Sequence, residues 1–278
     1  MKNTGNYQEN KLNLILRFFR FIITIFLAIL LYEALFSNIF TKKFHTVLYI
    51  LLWLYISYII LPITIRFITK LYLPDYFIGR TKTNDGLFGD PINIAFLGDK
   101  ESIIEAFELN GWHIADNLNL KSSIKIGLAS VFSKSYPCAP VSSLFLFTRK
   151  QDITFEKEVY GNPRKRHHIR LWKTPEEWYL PGGFQADWLA SATYDKNIGL
   201  SLFTGQVTHK IDSNVDAERD FVIQSLKEKD TIENVTIVQH FTSSYHDRNG
   251  GGDRIYTDGS LPFVKIKDIT NIKIKSIK

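Results

Sequence analysis

The sequence predicts an α+β domain with a mainly antiparallel sheet and about three helices, preceded by a two-helix transmembrane hairpin. Three observations carry this. Residues 1–80 hold nine Lys/Arg against three Asp/Glu, whereas residues 81–278 hold 25 of each. An uncharged run, Val47–Ile65, lies wholly in the first part. In the second part short alternating segments outnumber the helical ones, a mixture typical of α+β domains.

The hairpin comes first. Nineteen residues at about 1.5 Å each reach about 28 Å, the thickness of a hydrocarbon core. Pro62 is expected in the last turn of this span, where a missing N–H is tolerable. The other span runs from about 18 to 36, with Arg17 and Arg20 able to snorkel at one end and Glu33 at the other. A cleaved signal peptide is the competing reading, but no small-x-small site follows the apolar core. Eight basic residues flank the pair (Lys2, Lys11, Arg17, Arg20, Arg66, Lys70, Arg80 and Lys82), and only Lys42 and Lys43 lie between the spans. The positive-inside rule then places both termini and the soluble domain in the cytoplasm. The excess charge belongs to the membrane segments, so the bilayer is the expected partner, with another membrane protein as a further one. Nucleic acid is not expected. The lone Cys138 excludes an internal disulfide and any zinc site needing two cysteines.

From residue 81 onward the expected elements are a strand at Ile92–Leu97, a helix opened by Asp99 and ended by Gly111, and a helix over Leu118–Lys134. Strands follow at Ser142–Thr148 and Ile153–Glu158, joined through Arg149–Asp152. Further strands are expected at His167–Trp172, Trp188–Tyr194, Ile198–Phe203 and Gln206–Ile211. A helix at Val215–Glu228, capped by Ser213 with Asp216, precedes Val235–Phe241, Arg254–Tyr256 and Pro262–Ile266.

Two clusters could carry chemistry. On a strand, Arg166, His168, Arg170 and Trp172 share one face, either solvated or able to hold a phosphate or carboxylate with His168 as proton donor. On the Val215–Glu228 helix, Arg219 falls within the apolar stripe. It therefore needs a buried carboxylate, with Asp195 and Asp212 the expected partners, or a bound anion. The site reading assigns proton transfer and its orientation to His168, His209 and Asp195. It assigns anion binding to Arg170, Arg219, Gly251 and Arg254, and a weak metal pair to Asp212 with His209. No cofactor is indicated, and no Walker or G-x-S-x-G pattern occurs.

Several pieces taken together resemble the LssY-like C-terminal domain family. They are Gly89-Asp90-Pro91-Ile92-Asn93, Gly111-Trp112, Ala139-Pro140-Val141-Ser142, Gln151-Asp152 and Arg166-x-His168-x-Arg170-x-Trp172. Ala192-Thr193-Tyr194-Asp195, Thr208-His209-x-Ile211-Asp212, Asp216-Ala217-Glu218-Arg219-Asp220 and Tyr256-Thr257-Asp258-Gly259 complete the set. The resemblance covers about residues 87–265. It implies a membrane-associated accessory or interaction module, in a family named after a component ascribed to type I secretion. The alternative is a membrane-tethered enzyme or binding protein for an anionic, phosphate-bearing ligand, lipid-derived in one form. The DedA-type and phosphatase regions of longer relatives are not recognisable here, so lipid phosphatase activity does not follow.

Overall fold

The computed structural model describes residues 42–72, 79–116, 141–242 and 245–268, with single residues 22, 26, 29, 32, 33, 77 and 138. The expected span at 18–36, the helix at 118–134 and the tail after 268 lie, wholly or for the most part, outside the described residues. The chain forms two compact units. One comprises residues 1–73 with the turn 203–206, and the other comprises 74–202 with 207–278.

In the first unit, α1 (Lys42–Tyr55), a π turn (Ile56–Ile60) and α2 (Leu61–Tyr72) follow one another without a break. Within them Thr46–Thr69 is long and apolar enough to cross a membrane. Among the described residues it is the one helix that is. Pro62 sits seven residues before Thr69, about two turns from the end of this helix, not in its last turn. The widened turn before it moves the Leu61 N–H onto the Ile56 carbonyl; proline has no N–H to offer the Ser57 carbonyl, and Gln206 Nε2 donates to that carbonyl at 3.0 Å.

The second unit is α+β. Its strands are β1 (Arg80–Thr83), β2 (Phe88–Pro91), β3 (Ile94–Leu97), β4 (His113–Ile114), β5 (Leu144–Leu146), β6 (Arg149–Lys150) and β7 (Ile153–Val159). They continue with β8 (Asn162–Lys173), β9 (Trp188–Leu200), β10 (Val207–Ile211), β11 (Ile232–Val238), β12 (Tyr245–Arg248), β13 (Arg254–Thr257) and β14 (Leu261–Ile266). The main sheet runs β11-β14-β3-β9-β8-β7-β4, and β10 pairs with the far half of β9. Every pairing is antiparallel except β14 with β3. A smaller sheet runs β2-β1-β5-β6, and β12 pairs with β13. The expected pairing of 142–148 with 153–158 does not form. β5 turns back on β6 and joins the small sheet, while β7 pairs with β8. Phe147 and Thr148, both at positive φ, make that tight turn.

The helices α3 (Lys100–Leu109) and α4 (Val215–Lys227) pack on one face of the main sheet. Ile94, Phe96, Phe155, Ile169, Ala190 and Val264 project from the strands into that core, and Ile103, Phe107, Val222 and Leu226 come from the helices. Asp99 caps α3 by accepting from the Ser102 N–H. The cap of α4 is Asn214, whose side chain accepts from Ala217, and not Ser213. Asp216 is turned elsewhere, as described below. Asn93 extends the β3 ladder with its side chain. It donates to the Ala192 and Val215 carbonyls and accepts from the Ala192 N–H. One amide thus replaces a missing stretch of strand and ties α4 to the sheet.

The other face of the main sheet is divided. At one end Ala95, Trp172, Leu189, Leu261 and Phe263 form a second apolar cluster with Ile92, Leu144 and Leu146. Along β7, β8 and β9 the same face is polar and yet buried.

Candidate functional site

Strand alternation sends His167, Ile169 and Leu171 toward the helices and Arg166, His168 and Arg170 to the opposite face. The register places Arg166 beside Asp195, His168 beside Thr193 and Arg170 beside Ser191. On the other flank Glu156 lies beside His168 and Thr154 beside Arg170. Arg166 Nε donates to Asp195 Oδ2 at 2.8 Å, and its Nη1 donates to both Glu156 oxygens at 3.1 Å. Arg170 Nη1 donates to Asp90 Oδ2 at 3.2 Å and to His168 Nε2 at 2.9 Å. Its Nε and Nη2 donate to the carbonyl and hydroxyl of Ser142. Asn249 Nδ2 donates to the second Asp90 oxygen at 3.0 Å, which ties the 247–254 loop to the cluster.

These contacts fix protonation states. A guanidinium only donates, so His168 Nε2 must accept from Arg170 and from the Thr193 hydroxyl at 2.7 Å. The ring proton then lies on Nδ1, 3.5 Å from Asp195 Oδ2. Burial holds His168 well below the usual histidine range; Asp195 opposes this, and Arg170 and Arg166 add to it. Burial also lowers His209, whose Nδ1 lies 3.5 Å from Arg166 Nη2. Both rings are therefore neutral near pH 7. Glu156 is pushed up to about 8 by burial, against the attraction of Arg166. Asp195 is equally buried, but His168, Arg166 and His209 outweigh the desolvation and hold it down at about 2. One arginine thus sits between a protonated and an ionised carboxyl group.

Of the sequence-predicted residues, His168, Arg170, Asp195 and His209 come together here. Arg219, Arg254 and Asp212 do not. Arg219 donates to Asp258 at 2.9 Å, to Asp220 at 2.8 Å and to Asp216 at 3.2 Å, instead of pairing with Asp195 or Asp212. Asp216 also accepts from the Thr257 hydroxyl and the Asp258 N–H, so it joins α4 to the end of β13. Asp212 accepts from the Asn214 N–H. Arg254 is exposed on β13. The Gly251 N–H is used within the loop by Asn249 Oδ1, and its carbonyl accepts from Lys210 and from the Leu202 N–H. Among the described residues no group of three or more His, Cys, Asp or Glu is arranged to hold a metal.

The sequence reading assigned no site role to Glu156, Asp90 or Asn249, and placed Arg166 on the cationic face without naming a carboxylate partner for it. Asp90 lies within the Gly89–Asn93 piece, and Glu156 alternates with Ile153 and Phe155 along its strand. A buried carboxylate opposite a basic strand was the available signal. On the helix side of the sheet, His167 Nδ1 lies 2.8 Å from Glu218 Oε2, and its ring stacks on Phe221. A cavity of about 510 Å³ lies at the β4–β7 edge, lined by Lys100, Ile104, Asp116, Lys150, Gln151 and Thr154 among others.

The fold and the paired charges define an α+β domain with one internally neutralised polar sheet face. A family-wide profile described as LssY C-terminus matches residues 70–261, well over half of the chain. The chain belongs to that family. No curated protein matches it, and no solved structure does either.

Proposed function

We propose that this protein is a membrane-anchored accessory module that assembles with another protein of a membrane or secretion system. In this reading the Thr46–Thr69 helix spans the bilayer, a second span precedes it, and the LssY-type domain lies in the cytoplasm. The supporting observation is charge compensation. On the polar face Arg166 is matched by Asp195 and Glu156, and Arg170 by Asp90; outside it Arg80 is matched by Asp247 and Arg219 by its aspartates. A site that works on an anion keeps a cation free to meet it. Here each of these guanidinium groups has a carboxylate from its own chain. The test is chemical cross-linking of the full chain in native membranes. A discrete, stoichiometric complex with a membrane protein is expected, and recovery of the chain only as monomer or self-oligomer would sink the reading.

A second reading is a binding site for an anionic, phosphate-bearing ligand. Four predicted residues converge, and Ser191 Oγ, Trp172 Nε1 and His209 Nε2 are buried with no protein partner. Thermal melts with inorganic phosphate and glycerol phosphate separate the two. A ligand at 100 times its dissociation constant adds about 2.7 kcal/mol, and such a gain lost in Arg170→Ala would favour this alternative.

A further inference from the structure

We propose that the cavity at the β4–β7 edge binds a small organic anion, held by Lys100 and Lys150. This site is separate from the Arg166–Arg170 face and needs no membrane contact.

Charge pairing elsewhere in the domain sets these two lysines apart. Arg166, Arg170 and Arg219 have carboxylate partners, and Lys210, Lys265 and Lys267 each pair with an aspartate or glutamate. Lys100 and Lys150 form no ion pair and no side-chain hydrogen bond among the described residues. Both line one cavity of about 510 Å³. A free lysine on open surface, such as the exposed Lys196, is simply solvated. Two that share a concavity are placed to meet one ligand, and small-molecule sites run to about 300–1,000 Å³.

Local structure brings them there. Lys100 opens α3, directly after the Asp99 cap. Lys150 ends β6, and Gln151 and Asp152 lead from it into β7. Of the acids on the lining, Asp152 is spent: it pairs with Arg149 and accepts from the Lys173 N–H at 2.7 Å. In the described lining two ammonium groups thus stand against the remaining carboxylate of Asp116. The Leu144 N–H holds Gln151 Oε1 at 3.0 Å, which fixes the amide and leaves its Nε2 without a partner among the described residues. The Thr154 hydroxyl has none there either. Ile104, Ile114 and Val141 supply an apolar wall.

This set selects a class of ligand. An ammonium is a point charge without the fork of a guanidinium, so it takes a carboxylate or a phosphate monoester alike. The amide and hydroxyl suit the same oxygens, and the wall suits a short carbon chain. A small anion that carries a few carbons is therefore the occupant that fits. The cavity borders the polar face without drawing on it. Thr154 lies beside Arg170 in the sheet, but Arg170 spends its donors on Asp90, His168 and Ser142.

The test titrates the full chain in neutral detergent by calorimetry, at constant ionic strength, with glycerol phosphate and with succinate. Saturable binding of one equivalent is expected, and the tighter of the two probes identifies the head group. Lys100→Gln and Lys150→Gln should each weaken binding about tenfold or more. Both side chains are exposed, so their loss leaves the fold intact. Lys196→Gln should leave binding unchanged. No saturable heat with either anion would overturn the proposal. Binding that survives both cavity substitutions would overturn it too, and if Arg170→Ala abolished that binding, the ligand would belong to the Arg166–Arg170 face. An equal loss in Lys196→Gln would mean a diffuse effect of surface charge and would likewise refute the site.

Discussion

Replacing Glu156 with glutamine removes one titrating oxygen from a fully buried site and leaves the shape almost unchanged. Glu156 is raised from 4.5 to about 8, by burial first and by Asp195 as well, with Arg166 opposing. The sign follows from proton binding. Between pH 4.5 and about 8 the folded chain holds a proton that the unfolded chain has released, so stability falls as pH rises through this window. Each pH unit is worth about 1.4 kcal/mol, and the full window about 5 kcal/mol. Glutamine carries no such cost. His168 and His209 act in the opposite sense. Their lowered pKa values give stability that is present above about 6.5 and lost as pH falls. Both chains share those histidines, so the difference between Glu156→Gln and wild type isolates the carboxyl group. It should be near zero at pH 4.5, widen steadily, and level off above pH 8. About 1 kcal/mol moves the melting temperature by about 2–4 °C in a domain of this size. A gap of about 10–20 °C at pH 8–9 is therefore expected from melts recorded across the range. Parallel profiles would show that Arg166 keeps Glu156 ionised, and the reasoning from burial would be wrong.

Three further outcomes follow from the same contacts. Arg219→Ala should cost about 1–3 kcal/mol, less than a fully buried pair, because Asp220 and Asp258 lie in solvent and Asp216 keeps two other donors. Phosphate should not alter that loss, and a phosphate-dependent change would return Arg219 to the anion readings. Asn93→Ala should cost about 2–4 kcal/mol in denaturant melts, since the Ala192 N–H and the Val215 carbonyl lose a buried partner; a loss under 1 kcal/mol would mean that water replaces the amide. A fragment beginning at Gly79 should unfold cooperatively, whereas one beginning at Asn84 should be weaker or aggregate. The shorter fragment lacks β1, which joins β2 to β5, and Arg80, which holds Asp247 and the Gly89 and Arg248 carbonyls.

What the sequence made legible was whatever shows as periodicity. The α3 and α4 helices, the β8 and β9 faces and the β9–β10 hairpin all follow from apolar spacing and turn residues. The small sheet did not. β1 and β2 are four residues each, carry Arg, Lys, Asp and Gly, and are strands only because β5 completes them from a distance. The cap of α4 was placed one residue early because Ser213 and Asn214 are both good capping types. Tertiary bonds from Thr257 and Asp258 claim Asp216, and that decides between them. The partners of Arg219 were misread for the same reason. Asp258 is 39 residues away, and proximity in sequence carried no information about it. The convergence of His168, Arg170, Asp195 and His209 was half legible. Alternation put the first two on one face, but only the register of β8 on β9 brings Asp195 to Arg166.

That register explains why so much charge is buried where no reaction is needed to account for it. A slip of β8 by one residue would turn Ile169 and Leu171 onto the polar face and the arginines into the core under α3 and α4, which the apolar pattern already forbids. A slip by two residues keeps every side chain on its proper face, so hydrophobicity cannot exclude it. The ion pairs can. Moving β8 two residues along β9 would set His168 or Arg164 opposite Asp195 in place of Arg166 and carry Arg170 away from Asp90. Stranding these two buried carboxylates in this way costs about 3–5 kcal/mol for each broken pair. Apolar residues of the same volume would hold the sheet as firmly, as buried pairs are weak sources of net stability. They would not distinguish one register from the next. The Arg-x-His-x-Arg face is thus accounted for by the uniqueness of the β7–β8–β9 pairing, and Glu156→Gln tests this too. It keeps the Asp195 pair that sets the register, so the variant should retain one cooperative transition at every pH at which the wild type has one.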